Sequence, residues 1–187
     1  VRSRIAARWA ARLGYTRVIR YPPGYQEWMA TGAGGQGPGS DASRDQAPWF
    51  PDLDLVEVDG TDRTSLREFV RKNVVVVLFN DLCTECVRQL DVFEGVVDRL
   101  PPETQAIRVG VFSSEDGVHR ILAGHAVGGP LYLTERTDLL HRLGEHELPL
   151  TYVLRKNKAG DFRVLLVLRG VLEDPNGFVD EVRELVH

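Results

Sequence analysis

Cysteine is scarce in this 187-residue sequence: there are two, at positions 83 and 86. Two are too few for a disulfide scaffold. No apolar stretch approaches the twenty or so residues that cross a bilayer, so no membrane insertion is expected within the chain. A basic excess is missing too. Against 23 Lys and Arg stand 27 Asp and Glu, a net charge of −4, which excludes the electrostatic footprint of a nucleic-acid binder. An initiator methionine is absent as well. The chain starts at Val1 and its first residues read as the inside of a helix, so the N-terminus reads as a cut edge, and the lack of a leader says nothing about compartment. What remains, 43% hydrophobic and 27% charged, is the composition of a globular protein with room for one sizeable core, or one domain and a piece of another.

The two cysteines sit where chemistry would want them. Val74 to Phe79 is a run of six apolar residues rich in β-branched side chains, the pattern of a strand buried on both faces. A short polar turn, Asn80-Asp81-Leu82, follows, and Cys83-Thr84-Glu85-Cys86 then opens a helical pattern. A helix N-terminus presents unpaired N–H groups and the positive end of the dipole, which stabilise a thiolate. Cysteines three apart around a first helical turn can close a small disulfide ring. In this arrangement Cys83 is the exposed thiol that attacks a partner disulfide, and Cys86, set deeper, resolves the mixed disulfide.

Around that centre the chain alternates strands and helices. Leu53 to Val58 alternates as a strand, turned by Asp59-Gly60, and Ser65 caps a predicted helix over Leu66 to Lys72. Beyond Cys83, Val87, Leu90, Phe93, Val97 and Leu100 recur at helical steps until Pro101-Pro102. Ala106 to Phe112 predicts a strand, Glu115 to Gly124 a helix, Pro130 to Leu133 a short strand and Thr137 to Leu143 a short helix ended by Gly144. Thr151 to Leu154 and Phe162 to Leu168 predict a hairpin around Gly160, and Phe178, Val182 and Leu185 line a last helix. The expectation is α/β, with parallel crossovers first and an antiparallel hairpin last.

The first thirty residues resemble the C-terminal end of a rhodanese domain. That family follows its active-site loop with a helix, a Gly-Tyr/Phe-x-x-Val strand and a Gly-x-x-x-Trp helix. Here Val1-Arg2-Ser3, Gly14-Tyr15-Thr16-Arg17-Val18 and Gly24-Tyr25-Gln26-Glu27-Trp28 correspond. The resemblance implies a rhodanese-like fragment over residues 1–30, with the sulfur-carrying cysteine upstream of Val1, so this piece is not a working sulfurtransferase. Residues 31–48 hold five Gly and two Pro among small polar residues and read as a flexible linker. Residues 49–187 read as one domain.

That domain resembles the thioredoxin fold, most closely the TlpA-type protein disulfide reductases. Asp59-Gly60, Ser65-Leu66 and the strand from Val74 follow the opening pattern of that family. Gly144-Glu145-His146-Glu147-Leu148-Pro149-Leu150-Thr151 follows its later Gly-x-x-x-x-Pro-x-Thr pattern, and Gly170 its glycine after the last strand. The resemblance implies a mixed sheet flanked by helices and no cofactor. It also implies a cis-proline at Pro149, with the backbone of Leu148 left free to pair with an extended substrate. Partners would be a disulfide-bearing protein or small thiol substrate and an upstream reductant. The resemblance favours a bacterial extracytoplasmic (periplasmic) site; rhodanese partners, often cytoplasmic, keep the cytoplasm open.

The active-site loop departs from the family pattern. Leu82 stands where Trp is usual, Thr84 and Glu85 separate the cysteines, and Gln89 replaces a frequent Glu. Asp91 takes the place of a frequent Pro, and Val77 that of the buried aspartate of thioredoxin, so no carboxylate is expected beneath the pair. Glu85 places a negative charge beside the thiols, which disfavours the thiolate and favours the disulfide. A poise nearer that of thioredoxin than of the strong oxidant DsbA is expected. Three other readings stay open. Cys83 and Cys86 could bind zinc with His141 and His146, although the spacing falls outside the usual finger patterns; no metal is the expectation. The domain could be a redox-inactive docking module whose cysteines only fill space. A peroxiredoxin-like peroxidase would need a Thr/Ser-x-x-Cys setting that Asp81 to Cys86 does not supply. His119, His125 and His187 read as solvated.

Overall fold

A computed structural model describes residues 49–187, apart from Asp59 and Thr61. The expectations for residues 1–30 and 31–48, and for Asp59 in its turn, lie outside the described residues. Eight strands form one sheet: β1 (Trp49–Phe50), β2 (Asp54–Glu57), β3 (Arg63–Ser65), β4 (Asn73–Phe79), β5 (Thr104–Val111), β6 (Leu131–Thr134), β7 (Leu150–Lys156) and β8 (Phe162–Arg169). Their order is β1-β8-β7-β4-β5-β6-β2-β3. Four helices accompany them among the described residues: α1 (Thr84–Val97), α2 (Glu115–Gly124), α3 (Leu139–Arg142) and α4 (Pro175–Val186).

β4 is central, parallel to β5 and antiparallel to β7. Every one of its residues is buried, as a strand with apolar layers on both faces requires. Its side chains alternate accordingly. Val74, Val76 and Leu78 join Ile107, Val109, Leu150, Tyr152 and Leu154 on one face, under Leu53, Leu66, Phe69 and Leu139. Val75, Val77 and Phe79 join Cys86, Leu90 and Phe93 of α1, Val118 and Ile121 of α2, and Phe178, Val179 and Val182 of α4 on the other. Each fully buried Val, Leu or Phe contributes roughly 1.5–3 kcal/mol of transfer free energy. That locks the register, since a one-residue slip would exchange the two faces.

Several expectations change. The segment from Leu66 forms only a single 3-10 turn, Leu66–Glu68. It has just two apolar residues to bury, Leu66 and Phe69, three apart, while Val70 is exposed. The Lys156 ammonium then takes the Phe69 carbonyl at 2.9 Å and the Arg67 carbonyl, acceptors a longer helix would use. Ser65 ends β3, a polar strand with no apolar alternation to announce it. Glu68 caps the turn by accepting the Ser65 N–H (3.1 Å) and the Thr64 hydroxyl (2.7 Å). The parallel crossovers are not first: β2 is antiparallel to both β3 and β6, so the sheet ends in a hairpin on this side too. The buried stripe of α1 is Cys86, Gln89, Leu90, Phe93 and Val96. Val87 and Val97 lie at its margins, and the helix stops at Val97 before the prolines. In α4, Val186 is buried and Leu185 only half so.

The sequence also hides an arginine in the core. Arg108 of β5 is 1% exposed. Its guanidinium pairs with Glu94 of α1 and lies 5.3 Å from the centroid of the Phe93 ring. Glu94 in turn accepts the Gly128 N–H at 3.0 Å. A buried cation survives because it is paired, and the pair ties α1 to the loop before β6.

Candidate active site

Cys83 and Cys86 meet at the N-terminus of α1 as a disulfide, with Cα atoms 5.1 Å apart. Cys83 is the N-cap residue, in extended conformation, and its sulfur accepts the Cys86 N–H at 3.1 Å. Its carbonyl accepts the N–H groups of Cys86 (3.0 Å) and Val87 (3.2 Å), which starts the helix. The first sulfur therefore faces the positive end of a 14-residue helix. Cys83 is half-buried and Cys86 fully buried, in the cluster that also holds Val77 and Phe79. Leu82 is 46% exposed, and Thr84 and Glu85 face solvent.

The segment before β7 comes to the same place. The Leu148 carbonyl oxygen lies 3.7 Å from the Cys83 sulfur. The Leu148–Pro149 peptide bond is cis, and Pro149 is buried. Gly170, at φ +85°, donates its N–H to the Pro149 carbonyl at 2.9 Å, so the ends of both strands of the last hairpin frame the turn. Glu145, 8% exposed, receives two bonds from the Arg169 guanidinium, at 2.6 and 2.9 Å. That bond raises the arginine above its ordinary value. Burial, with Glu145 nearby, pushes the Tyr152 phenol well above its ordinary 10.0.

Two polar residues near the pair, both named from the sequence, take roles that the sequence did not show. Gln89, one turn after Cys86, is 0% exposed. Its amide donates to the Thr151 hydroxyl at 3.0 Å and accepts the Leu172 N–H at 2.7 Å, so both ends of a buried polar group are satisfied. The spacing Cys86 to Gln89, three residues on one helix face, was the available signal. The second is Asn80, 7% exposed. Its side chain donates to the carbonyls of Val111 (2.9 Å) and Phe112 (3.0 Å) and accepts the Leu82 N–H (3.0 Å). Its own carbonyl accepts the Cys83 N–H at 3.2 Å. Asn and Asp in a turn favour such local bonds, but nothing in the sequence shows that their partners would come from a turn some thirty residues on.

An open cleft of about 620 Å³ runs beside α1, lined by Glu85, Arg88, Val92, Arg169, Leu172 and Pro175 among others. Among the described residues no group of three or more His, Cys, Asp and Glu side chains is placed to hold a metal ion. His141 and His146 are exposed. His125 is not merely solvated: its ring contacts Asp91 at 2.8 Å. Chemically the arrangement offers two sulfurs that can share or part with an electron pair, one facing outward, with a backbone acceptor against it. Among the described residues no helix is long and apolar enough to cross a membrane.

No family profile matches the sequence, and neither does any curated protein. Solved structures do match it. The thioredoxin domain of a thiol-disulfide oxidoreductase from Bacteroides vulgatus is 15% identical, covering 78% of this chain and all of that one, with a TM-score of 0.58. The exposed lipoprotein thioredoxin Etrx1 of Streptococcus pneumoniae is 16% identical over 72% of this chain and 99% of that one, TM-score 0.57. StoA from Bacillus subtilis is 12% identical over 74% and 98%, TM-score 0.55. At such identities the likeness is one of fold, and the fold is thioredoxin-like.

Proposed function

We propose that the domain over residues 49–187 is a thiol–disulfide oxidoreductase of the TlpA type. The observation that carries this reading is the Cys83–Cys86 disulfide at the mouth of α1, with the Leu148 carbonyl 3.7 Å from the outer sulfur. The solved structures it resembles include thiol:disulfide interchange proteins by their own names, which supports the reading.

In the reducing direction the Cys83 thiolate attacks one sulfur of a substrate disulfide. The substrate S–S bond breaks, a mixed disulfide forms on Cys83, and one substrate thiolate leaves and takes up a proton. Cys86, having lost its proton, attacks the Cys83 sulfur. The mixed disulfide breaks, the second substrate thiol departs, and the Cys83–Cys86 disulfide remains. Two electrons have passed from the protein dithiol to the substrate, and an external dithiol must restore them. The half-exposed Cys83 fits the attacking role and the buried Cys86 the resolving one. A reduced Cys83 has a proton to offer the Leu148 carbonyl, whereas the disulfide has none. Pro149 holds that carbonyl toward the sulfur, and the Leu148 backbone offers an extended substrate its pairing edge. Leu82, Thr84 and Glu85 form the surface the substrate first meets.

Insulin reduction tests this. With dithiothreitol as the source of electrons, the wild type should accelerate precipitation of the insulin B chain several-fold over dithiothreitol alone, and Cys83→Ser should not. Equal rates for the two would overturn the reading and leave a docking module.

A further inference from the structure

The loop that presents Cys83 is held from outside its own helix. Asp81 lies inside the tight turn closed by the Cys83 N–H on the Asn80 carbonyl. Its N–H donates to the Ser113 hydroxyl at 3.1 Å. Its carboxylate Oδ2 accepts the Ser114 hydroxyl at 3.0 Å and the Ser114 N–H at 3.4 Å. Ser114 is the N-cap of α2 and accepts the Gly117 N–H at 3.2 Å. The carboxylate thus sits over the first turn of α2, and so close that a Cβ on Gly117 would fall 1.6 Å from Oδ2. The turn that supplies these partners is unusual. Phe112 has φ 55°, a left-handed region that bulky residues rarely adopt. In that conformation its carbonyl receives the Asn80 amide. The second carboxylate oxygen, Oδ1, is buried and has no hydrogen-bond partner among the described residues. Buried unsatisfied oxygens are few in folded proteins and call for a reason.

We propose that Asp81 is a positioning residue for the exchange pair: anchored by the Phe112–Ser114 turn, it fixes the loop that presents Cys83 and holds a carboxylate in the same turn as that cysteine. This rests on the exchange reading above. Asp81 and Cys83 share the turn closed by the Cys83 N–H on the Asn80 carbonyl, their Cα atoms within about 7 Å by chain length, and from there the charge is inferred to act against the thiolate through the field between them. Other charged groups on the elements that meet here are Glu85 and Arg88 of α1, Glu115 and Asp116 of α2, His146 and Glu147 before Leu148, and the Glu145–Arg169 pair. Asp81 itself is fastened to the turn by hydrogen bonds. Asn in its place keeps an oxygen for Ser114, puts its NH2 where the partnerless oxygen was, and removes the charge.

The test compares the full chain with Asp81→Asn and Ser114→Ala. In a Cys86→Ser background only Cys83 reacts, so its alkylation by iodoacetamide can be followed against pH. Asp81→Asn should move the midpoint of that profile down by about half to one pH unit. In the two-cysteine protein, titrated with a glutathione redox buffer, it should shift the equilibrium toward the dithiol about three- to tenfold. Ser114→Ala keeps the carboxylate and removes a donor from it, so it should move the profile the other way, by less. A folded Asp81→Asn with both profile and equilibrium unchanged within about twofold would overturn the proposal and leave Asp81 a structural residue. Should Asp81→Asn fail to fold, Ser114→Ala decides alone: no upward shift overturns it. Wild type inactive on insulin would instead sink the exchange reading, a different result from an active wild type with an indifferent Asp81.

Discussion

The Gln89 amide donates to the Thr151 hydroxyl across 3.0 Å, joining the helix that carries Cys86 to the strand that follows Pro149. With its other end on the Leu172 N–H, the side chain fastens three segments at one buried point. Replacing Gln89 by Leu keeps the bulk and removes both bonds. The Leu172 N–H and the Thr151 hydroxyl are left in an apolar setting, at about 1–3 kcal/mol each. Urea unfolding should show a loss of roughly 2–6 kcal/mol. Adding Thr151→Val should cost less than the sum of the two single changes, since they share a bond.

The two sulfurs should fail differently. Cys83→Ser should lose exchange altogether. Cys86→Ser should still attack but not resolve, and a covalent adduct with an oxidised substrate should accumulate. Non-reducing electrophoresis reads both outcomes. An adduct on Cys83→Ser and none on Cys86→Ser would reverse the assigned roles.

Gly117→Ala tests the contact between the active-site loop and α2. The new methyl would fall 1.6 Å from the Asp81 carboxylate, which must then swing off Ser114 or push the helix away. A loss of more than about 2 kcal/mol in urea unfolding is expected, beyond what a helix gains from Ala over Gly.

Alkali should reveal the two described tyrosines. Burial raises Tyr132 and Tyr152 above their ordinary 10.0, with Glu57 adding to the first and Glu145 to the second. In the unfolded chain both ionise near that value. Their contribution to stability is therefore complete below it and is lost as pH rises through the folded-state values. Tyrosinate absorbance and circular dichroism followed together should show these two rings ionising only as the fold is lost. Free ionisation of all five tyrosines near their ordinary value, with the fold intact, would contradict this.

Much of this architecture could be read from residues alone, because it is written in periodicity. The run from Val74 could only be a central strand, and Glu115 to Gly124 is the helix its spacing describes. The cysteine pair fell where a strand hands over to a helix. What could not be read was carried by polar residues whose partners are remote in sequence. β3 is Arg-Thr-Ser, with no apolar alternation, and exists because β2 offers it a ladder. Arg108 looks like a surface residue in a strand until Glu94 and Phe93 are seen around it. Asn80 and Asp81 read as a polar turn, and their bonds to residues 111–114 depend on β4 and β5 ending side by side. The helix expected after Ser65 failed for the converse reason: a local cap was present, but only two apolar side chains needed cover.

The sheet ends on one side in β1, two residues long, and on the other in β3, three residues long. β1 covers only Phe162 and Arg163 of β8, so among the described residues the edge of β8 from Val164 to Arg169 has no neighbouring strand. At the two short outer strands, Arg63 of β3 and the Pro51-Asp52 that follow β1 discourage docking. The longest run of open backbone in the sheet therefore lies along β8, and an extended segment adding there would pair beside the strand that ends at Arg169.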